Sequence, residues 1–431
     1  MAPCWRGSES CFETLLTRVD MIKSLQARKI LNSRGEFTVE VELETNKGVF
    51  LSSCPSGASR GKNEAVAVEP SKAVDNVNEI IAPKLKGELE GRQKEIDEML
   101  IELDGTKDKA NLGANAILPV SIAVCRAGAA AQGLPLYQYL EYLETRSRPA
   151  EPDAELDAGR DRVSTSLPIP CFNIINGGVH SGSDLEIQEF MVVPNKGFFS
   201  ENLKAGVQIY QELKKTLIKV FGKRAINVGD EGGFVPPISM EKEALDLLKT
   251  VIRGERDIEI GLDCAASQFY KNESYSLDSI VFTPEGLLGF YRDLTKRYPI
   301  VFLEDPFAES DWDSFQEITK RVGKEITIFG DDLLTTNIER MREAKKREAC
   351  SGAVIKPNQI GTVTETLEAI KIARSFGWKI MVAHRSGETS DDFIADLAVG
   401  IRADFIKAGA PARSERNAKY NRLLKIENEL K

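Results

Sequence analysis

The sequence predicts an α/β protein in which a small N-terminal α+β domain precedes a closed α/β barrel. The main evidence is a rhythm in which short apolar runs, each ending in a polar or charged residue, alternate with helical segments. Such alternation is typical of parallel βαβ units. Successive run ends lie 41, 27, 25, 28 and 23 residues apart, which fits one strand, one helix and two loops per unit. The run ends are Asp263, Glu304, Asp331, Lys356, His384 and Lys407.

The alternative fold for the same rhythm is an open, doubly wound sheet. That fold requires a glycine-rich phosphate-binding turn near its first strand, and the sequence contains no G-x-G-x-x-G motif. In a closed barrel of this kind, functional groups gather at the C-terminal ends of the strands. We therefore expect the six run ends to meet at one rim of the barrel.

The N-terminal domain shows both strand and helix patterns. Residues 36–45 alternate polar and apolar side chains, which indicates a strand with one solvated face. Residues 49–54 suit a partner strand, with Lys47 and Gly48 forming the hairpin turn. Helical spacing covers residues 71–82, 92–103 and 114–132. Pro119 is expected to kink the last of these helices or to mark its first turn.

The segment 144–166 is polar, contains two prolines and has no apolar periodicity. We predict a linker or an exposed excursion here, which separates a domain of residues 21–143 from a barrel domain of residues 167–431. Residues 1–20 lack an uninterrupted apolar segment and contain three acidic residues, so a disordered extension is expected rather than a targeting peptide.

Composition excludes several functional classes. The 431 residues carry a net charge of −9, which argues against a broad nucleic-acid interface because such an interface needs a basic face. No apolar run approaches the roughly 20 residues of a membrane span. Seven widely spaced cysteines without a C-x-x-C pair indicate reduced thiols in a cytoplasmic protein. A small anionic substrate remains possible, because local cations or a metal can reverse the field at one site.

Three acidic run ends predict a metal site. Asp263, Glu304 and Asp331 follow successive strands, and three carboxylates can remain ionised together only around a cation. Oxygen ligands alone favour a hard ion, Mg²⁺ before Mn²⁺ or Ca²⁺. Asp305 and Asp332 directly follow two of these ligands, and we expect them to act as helix caps or to support the ligands.

The basic run ends predict a site for a polyanion. Arg385 offers a bidentate fork for phosphate or carboxylate. A lysine beside Mg²⁺ and another lysine has a lowered pKa, so Lys356 or Lys407 can act as a general base near neutral pH. The chain has two histidines, His180 and His384, and both lie in glycine- and serine-rich loops, which favours a functional role.

Taken in order, these and other motifs resemble the enolase family over roughly residues 24–427. The matching stretches include CPSGASRG, FNIINGGVHSGSDLEIQEFM, NVGDEGGF, IGLDCAAS, FLEDPFAESDW, FGDDLLTTN, IKPNQIGT, AHRSGETSDDFIADLAVG and IKAGAPARSERNAKYN. The resemblance implies a small N-terminal α+β domain followed by an eightfold, TIM-like barrel whose first units depart from simple βα repetition. It also implies a cytoplasmic homodimer that dehydrates 2-phosphoglycerate reversibly to phosphoenolpyruvate in glycolysis and gluconeogenesis.

The same resemblance implies roles for individual residues. Asp263, Glu304 and Asp331 would hold the first Mg²⁺, and Lys356 would remove the proton next to the substrate carboxylate. Glu231, with Glu189 beside it, would protonate the departing hydroxide, so desolvation is expected to raise the pKa of Glu231. The substrate contacts implied are Gln188, His384, Arg385, Ser386 and Lys407. His180 would lie on a closing loop, and Ser59 would hold the second Mg²⁺ that joins with substrate.

Two other functions share parts of this pattern. A sister enzyme, such as a racemase or a lactonising enzyme, would share the barrel and Mg²⁺ but would lack the PSGAS loop and the phosphate cradle of Arg385 and Ser386. A catalytically silent relative would act as a scaffold or binding protein. Departures from the family pattern at Arg60, in the mobile loop, and at Pro357, after the base, remove no catalytic group.

Overall fold

The computed structural model describes residues 21–58, 61–146 and 167–431. Its N-terminal sheet is antiparallel, in the order β1 (Ser24–Leu31), β2 (Phe37–Glu44) and β3 (Val49–Ser53). The predicted hairpin is confirmed: Thr45 N–H donates to the Gly48 carbonyl at 2.9 Å, and Gly48 has a φ of 141° that favours glycine. Alternate side chains of β2, such as Val39 and Val41, are fully buried against the helices.

Five α-helices follow in the described part of the N-terminal region, and those predicted at 92–103 and 114–132 begin and end close to their predicted limits. The five helices are α1 (Pro70–Asp75), α2 (Ala82–Leu85), α3 (Gln93–Asp104), α4 (Ala114–Gln132) and α5 (Leu136–Arg146). The predicted helix 71–82 is less regular than expected, because a π-helical stretch, Asn76–Ile81, joins α1 to α2. Pro83 follows that stretch, and its missing N–H interrupts the regular hydrogen-bond ladder.

Helix α4 is the central helix of this region and packs on the sheet. Pro119 lies inside it, and the helix continues on both sides of the proline. Among the described residues, α4 alone has the length and apolarity of a membrane span, but 83% of that apolar stretch is buried inside the protein. Its apolar character is therefore accounted for by packing in the core.

The remaining described residues form the predicted closed barrel of eight strands, in the order β10-β11-β12-β13-β14-β4-β5-β6. The strands are β4 (Ile169–Asn176), β5 (Glu189–Pro194), β6 (Ile258–Asp263), β10 (Ile300–Glu304), β11 (Thr327–Gly330), β12 (Gly352–Ile355), β13 (Lys379–Ala383) and β14 (Phe405–Lys407). All neighbours are parallel except that β5 runs antiparallel to β4 and β6, so the expected irregular first units are confirmed. A small sheet of β7 (Tyr270–Lys271), β8 (Ser274–Leu277) and β9 (Ile280–Phe282) lies after β6.

Helices surround the barrel. They are α6 (Phe199–Phe221), α7 (Glu241–Val251), α8 (Pro284–Arg297), α9 (Trp312–Val322), α10 (Ile338–Arg347), α11 (Pro357–Ile360), α12 (Val363–Ser375), α13 (Phe393–Gly400) and α14 (Ser414–Glu429). The five cysteines that the structure describes are all buried thiols. The predicted extension 1–20 lies outside the described residues, as does most of the predicted linker. The domain boundaries therefore stay predictions.

Aromatic rings fill the barrel interior. Phe302, Phe329 and Phe405 pack edge to face, with ring centroids 5.5 to 5.9 Å apart. Gly261 makes room for this cluster, because a Cβ at that position would lie 2.1 Å from the Phe302 ring. The packed interior closes the barrel, so polar side chains meet only at its rim.

A buried ion pair joins α4 to the barrel. Arg126 donates from Nη1 and Nη2 to the two oxygens of Asp391 at 2.9 and 2.8 Å. Burial alone would raise the pKa of Asp391, but the Arg126 guanidinium outweighs it and holds that pKa below its ordinary value. A carboxyl with a lowered folded pKa contributes stability above its unfolded pKa of about 4 and loses it as the pH falls.

We expect Asp391→Ala to lower the free energy of unfolding at pH 7 by about 1.5 to 3 kcal/mol, because Arg126 loses its bidentate partner and, among the described residues, keeps only the Asp392 carboxylate as an ion-pair partner, at 3.1 Å. Urea denaturation measures this change. The exposed pair of Arg297 and Asp293 provides the control, and Asp293→Ala should cost no more than about 1 kcal/mol. The two variants would have similar stabilities if the Arg126 pair contributed nothing. In the wild type, the contribution should fade below about pH 4.

Candidate active site

The predicted strand ends meet at one rim of the barrel. Asp263 and Glu304 end neighbouring strands β6 and β10 and are direct register partners. Glu189 reaches the same rim from the first position of β5, where it pairs with Asp263, because that strand runs in the opposite direction. Lys407 ends β14. All four side chains are buried, so their charges must be balanced within the site.

The ammonium group of Lys407 lies among the carboxylates. Its Nζ donates to Glu304 Oε2 at 2.7 Å and to Asp263 Oδ2 at 3.0 Å, and it lies 3.3 Å from Glu189 Oε2. Burial opposes the charge on Lys407, but these carboxylates outweigh it and raise its pKa well above the ordinary value. Lys407 is therefore a fixed cation in the middle of the acidic rim.

Lys356 follows β12 and forms a very short ion pair with Asp331. Burial would lower the pKa of Lys356, but Asp331 outweighs burial and raises it. The expected lowering of the pKa of Lys356 is therefore not found, because Asp331 is its partner. Gln359 also holds Asp331, donating from Nε2 to Oδ1 at 3.0 Å.

The donor set fits a hard cation, because Asp263, Glu304 and Asp331 supply only oxygens and lie on three neighbouring strand ends. They do not form one of the acidic groups whose oxygens all lie within 4.8 Å of one another in the described residues. Asp305, Asp331 and Asp332 do form such a group. However, Asp305 accepts from the Asp331 and Asp332 N–H groups at 3.0 and 2.6 Å, in keeping with a supporting role. We therefore favour the first set, with the lysine ammonium groups now balancing its charge.

Glu189 and Glu231 form an acidic pair next to His180. The His180 ring places Nδ1 3.3 Å from Glu231 and 3.8 Å from Glu189. Burial raises the pKa of Glu189 well above its ordinary value, and the charge of Glu231 raises it further. Burial would raise the pKa of Glu231, but the neighbouring His384 and His180 rings, together with the charge of Arg416, outweigh burial and hold that pKa well below the ordinary value. The expectation of a raised pKa for Glu231 was wrong, since within this pair it is the pKa of Glu189 that is raised.

Three side chains fix the orientation of Glu231. Asn173 on β4 donates from Nδ2 to Glu231 Oε2 at 2.9 Å, and His384 Nε2 lies 3.5 Å from the same oxygen. Arg416 contacts His384 Nδ1. Because arginine can only donate, Nδ1 is the acceptor and the proton of the neutral imidazole is on Nε2, facing Glu231. Burial lowers the pKa of His384 well below its ordinary value, which keeps the ring neutral.

One cavity at this rim is lined by Gly57 and by nine of the predicted residues. The predicted residues in its lining are His180, Gln188, Glu189, Glu231, Lys356, His384, Arg385, Ser386 and Lys407. Two family models match the chain: "Enolase, N-terminal domain" over residues 22–140 and "Enolase, C-terminal TIM barrel domain" over residues 164–431.

The chain belongs to the enolase family. Three relatives support this over nearly their whole lengths. Enolase 1 of Entamoeba histolytica is 47% identical, and the match covers 95% of this chain and 96% of that protein. Enolase B of Dictyostelium discoideum and the enolase of Mastigamoeba balamuthi are each 46% identical over 95% of this chain. The activity is accordingly that of an enolase, a carbon–oxygen lyase classed as phosphopyruvate hydratase.

The side of this enolase cavity that carries Arg385 and Ser386 is held by the N-terminal loop. Arg385 forms a bidentate pair with Glu64 at 2.9 and 3.1 Å. Ser386 Oγ accepts the Ala58 N–H at 2.7 Å, and Ser56 and Gly387 exchange two backbone hydrogen bonds. Ser59, the predicted ligand of the second metal, lies outside the described residues, as does Arg60. The loop of Ser56 to Ala58 therefore contacts the cavity directly.

Sequence reasoning missed several residues that orient the enolase site. Asn173 and Arg416 fall inside quoted motifs but received no role. Glu64 pairs with Arg385, and Gln268 donates to Gln188 Oε1 at 2.6 Å, which leaves Gln188 Nε2 directed at Asp263 at 3.2 Å. Arg416 lies in a polar helix and is fully buried in the structure. Its contact with His384 could not be predicted from the spacing of residues in the sequence.

Proposed function

We propose that this cavity dehydrates 2-phosphoglycerate reversibly to phosphoenolpyruvate with two Mg²⁺ ions, with Lys356 as the base and Glu231 as the acid. The observation that carries the proposal is that Lys356 and Glu231, two groups that can transfer protons, line the same cavity. Lys356 stands on the side of Asp331, whereas Glu231 and Glu189 stand on the side of His180. A substrate between them has a base at one carbon and an acid at its leaving hydroxyl.

Asp263, Glu304 and Asp331 would hold the first Mg²⁺, and Ser59 would contribute to the second. When bound there, Mg²⁺ supplies the positive charge that the developing negative charge of the reaction requires. Asp331 also raises the pKa of Lys356, against the effects of burial and of Lys407. Asp331 would thus serve both the ion and the base.

Glu231 and Glu189 would hold the proton for the leaving hydroxide. The pKa of Glu189 is raised by burial and by the charge of Glu231, and His180 lies within 4 Å of both carboxyl groups. We assign the transfer to Glu231, because Asn173 fixes its orientation. Arg385 and Ser386 would bind phosphate, Lys407 would bind the carboxylate, and Gln188 and His384 would contact the substrate.

The proposal includes a cytoplasmic homodimer. Its dimer surface would involve the N-terminal sheet, where Leu31, Phe37, Val49 and Leu51 are exposed apolar side chains. The buried thiols suit a reducing compartment.

The reaction can be tested with purified protein, 2-phosphoglycerate and Mg²⁺, by following the ultraviolet absorbance of phosphoenolpyruvate. We expect turnover to stop when a chelator removes divalent ions and to return when Mg²⁺ is added in excess. Continued turnover by metal-free protein would contradict the metal role, and absence of turnover with Mg²⁺ would favour the silent relative.

A further inference from the structure

A second acidic cluster lies outside the candidate active site. One carboxylate oxygen from each of Glu186, Glu241 and Asp278 lies within 4.8 Å of the others. The three residues come from separate elements: the loop before β5, the first position of α7 and the turn between β8 and β9. None of them has a role in the proposed reaction.

Backbone hydrogen bonds fix the three carboxylates in place. Glu241 Oε1 accepts the N–H groups of Glu186 and Ile187 at 2.8 and 3.1 Å. Asp278 Oδ1 accepts the Glu241 N–H at 2.8 Å, and Glu186 Oε2 accepts the Asp278 N–H at 3.3 Å. Asp278 and Ser279 both have positive φ, as in a two-residue hairpin turn, so the hairpin also fixes the position of Asp278.

The negative charge of this cluster is only partly offset by protein cations, because Lys242 acts on Asp278 from a distance. Glu241 is fully buried, and its Oε2 has no hydrogen-bond partner among the described residues. Within the same part of the chain, no ion pair includes any of the three carboxylates. The neighbouring Lys242 places its ammonium 5.6 Å from the centre of the Phe290 ring. Burial raises the pKa of Glu241 well above its ordinary value, and Asp278 and Glu186 add to the effect.

We propose that Glu186, Glu241 and Asp278 bind a divalent cation, with Ca²⁺ as the best-fitting ion. The three side chains offer only carboxylate oxygens, which favour a hard cation. Ca²⁺ accepts irregular oxygen sites with six to eight ligands, whereas Mg²⁺ demands near-ideal octahedral geometry, so ligands held by separate loop, helix and turn elements suit Ca²⁺ better. Glu186 and Asp278 are only partly buried, which leaves an entry path and room for water ligands.

The cation would stabilise the loop between Gly177 and Gln188, which carries His180 of the candidate active site. Gly178 N–H donates to the Leu185 carbonyl at 2.8 Å, and Gly177 N–H donates to the Gln188 carbonyl at 2.9 Å. His180 lies inside the segment closed by these bonds, and Glu186 precedes Gln188 by two residues. An ion at Glu186 would thus tie the base of this loop to α7 and to the hairpin.

Bound Ca²⁺ should be counted by equilibrium dialysis for the wild type, Glu241→Gln and Glu243→Gln. Glutamine keeps the oxygen that accepts the two backbone N–H groups but removes the charge. We expect the wild type to bind one more Ca²⁺ per chain than Glu241→Gln. Glu243→Gln should match the wild type, because Glu243 lies in the same helical turn but only accepts the Ser239 and Met240 N–H groups. Ca²⁺ should raise the Tm of the wild type and the control by mass action, with a smaller effect on Glu241→Gln.

A second variant keeps the test decisive if Glu241→Gln folds poorly. Glu186→Gln alters a partly exposed side chain and should lose the same ion. Asp263→Asn, which removes a ligand of the proposed catalytic ion, should retain it, so the two proposals fail separately. Equal Ca²⁺ counts in the wild type and both cluster variants would overturn the proposal. The proposal would also be overturned if Ca²⁺ left the Tm of the wild type unchanged while acidification raised it. A proton, rather than a cation, would then neutralise the cluster.

Discussion

Lys356→Ala should abolish exchange of the substrate α-proton with solvent and lower turnover by about 10⁴-fold, the upper range for one proton-transfer group. The reason is positional, because Lys356 contacts Asp331 at the rim where the metal and the substrate carboxylate would meet. Exchange can be followed by the loss of deuterium from labelled 2-phosphoglycerate in water. The exchange assay isolates the first chemical step from the later loss of hydroxide.

The control for this variant is Lys425→Ala, which removes an exposed lysine on α14 and should leave exchange unchanged. Lys356→Ala should also retain substrate binding, because Arg385 and Lys407 remain in place. Normal α-proton exchange in Lys356→Ala would show that another group removes the proton. Loss of binding alone would assign Lys356 to substrate contact.

Glu231→Gln should lower dehydration by about 10³-fold while reducing α-proton exchange much less. Glutamine keeps an acceptor for Asn173 but cannot deliver the proton. The measurement compares the rate of phosphoenolpyruvate formation with the rate of deuterium loss in the same variant. A matched substitution, Glu201→Gln in the first turn of α6, changes an exposed carboxylate and should alter neither rate.

Glu189→Gln distinguishes the role of Glu189 from that of Glu231. If Glu231 is the donor, dehydration should fall less in Glu189→Gln than in Glu231→Gln. The opposite order would assign the donor role to Glu189, whose pKa is raised by burial and by Glu231. An equal fall of exchange and dehydration in Glu231→Gln would contradict the division of labour between base and acid.

The sequence predicted the fold and the location of the rim because both depend on local patterns. Each apolar run ended in a polar residue, and the parallel barrel then placed Glu304, Lys356 and Lys407 at one end. The π-helical stretch at Asn76–Ile81 was not predicted, because it follows from how the backbone accommodates Pro83 within a helical pattern.

The protonation states could not be predicted from the sequence. The pKa of Glu231 depends on His384, His180 and Arg416, which are distant in the chain and meet only in the folded barrel. The pKa of Lys356 is raised by Asp331, which lies 25 residues earlier in the chain. Positions along the chain can place charges at a rim, but only the packed side chains decide which of them share a proton.

The location of the catalytic ion is the most direct test of the central claim. Mn²⁺ can replace Mg²⁺ in a crystal and be located by anomalous diffraction. We predict a peak within ligand distance of Asp263, Glu304 and Asp331 together. A peak confined to Asp305 and Asp332, or one between His180 and Glu231, would contradict the proposed mechanism.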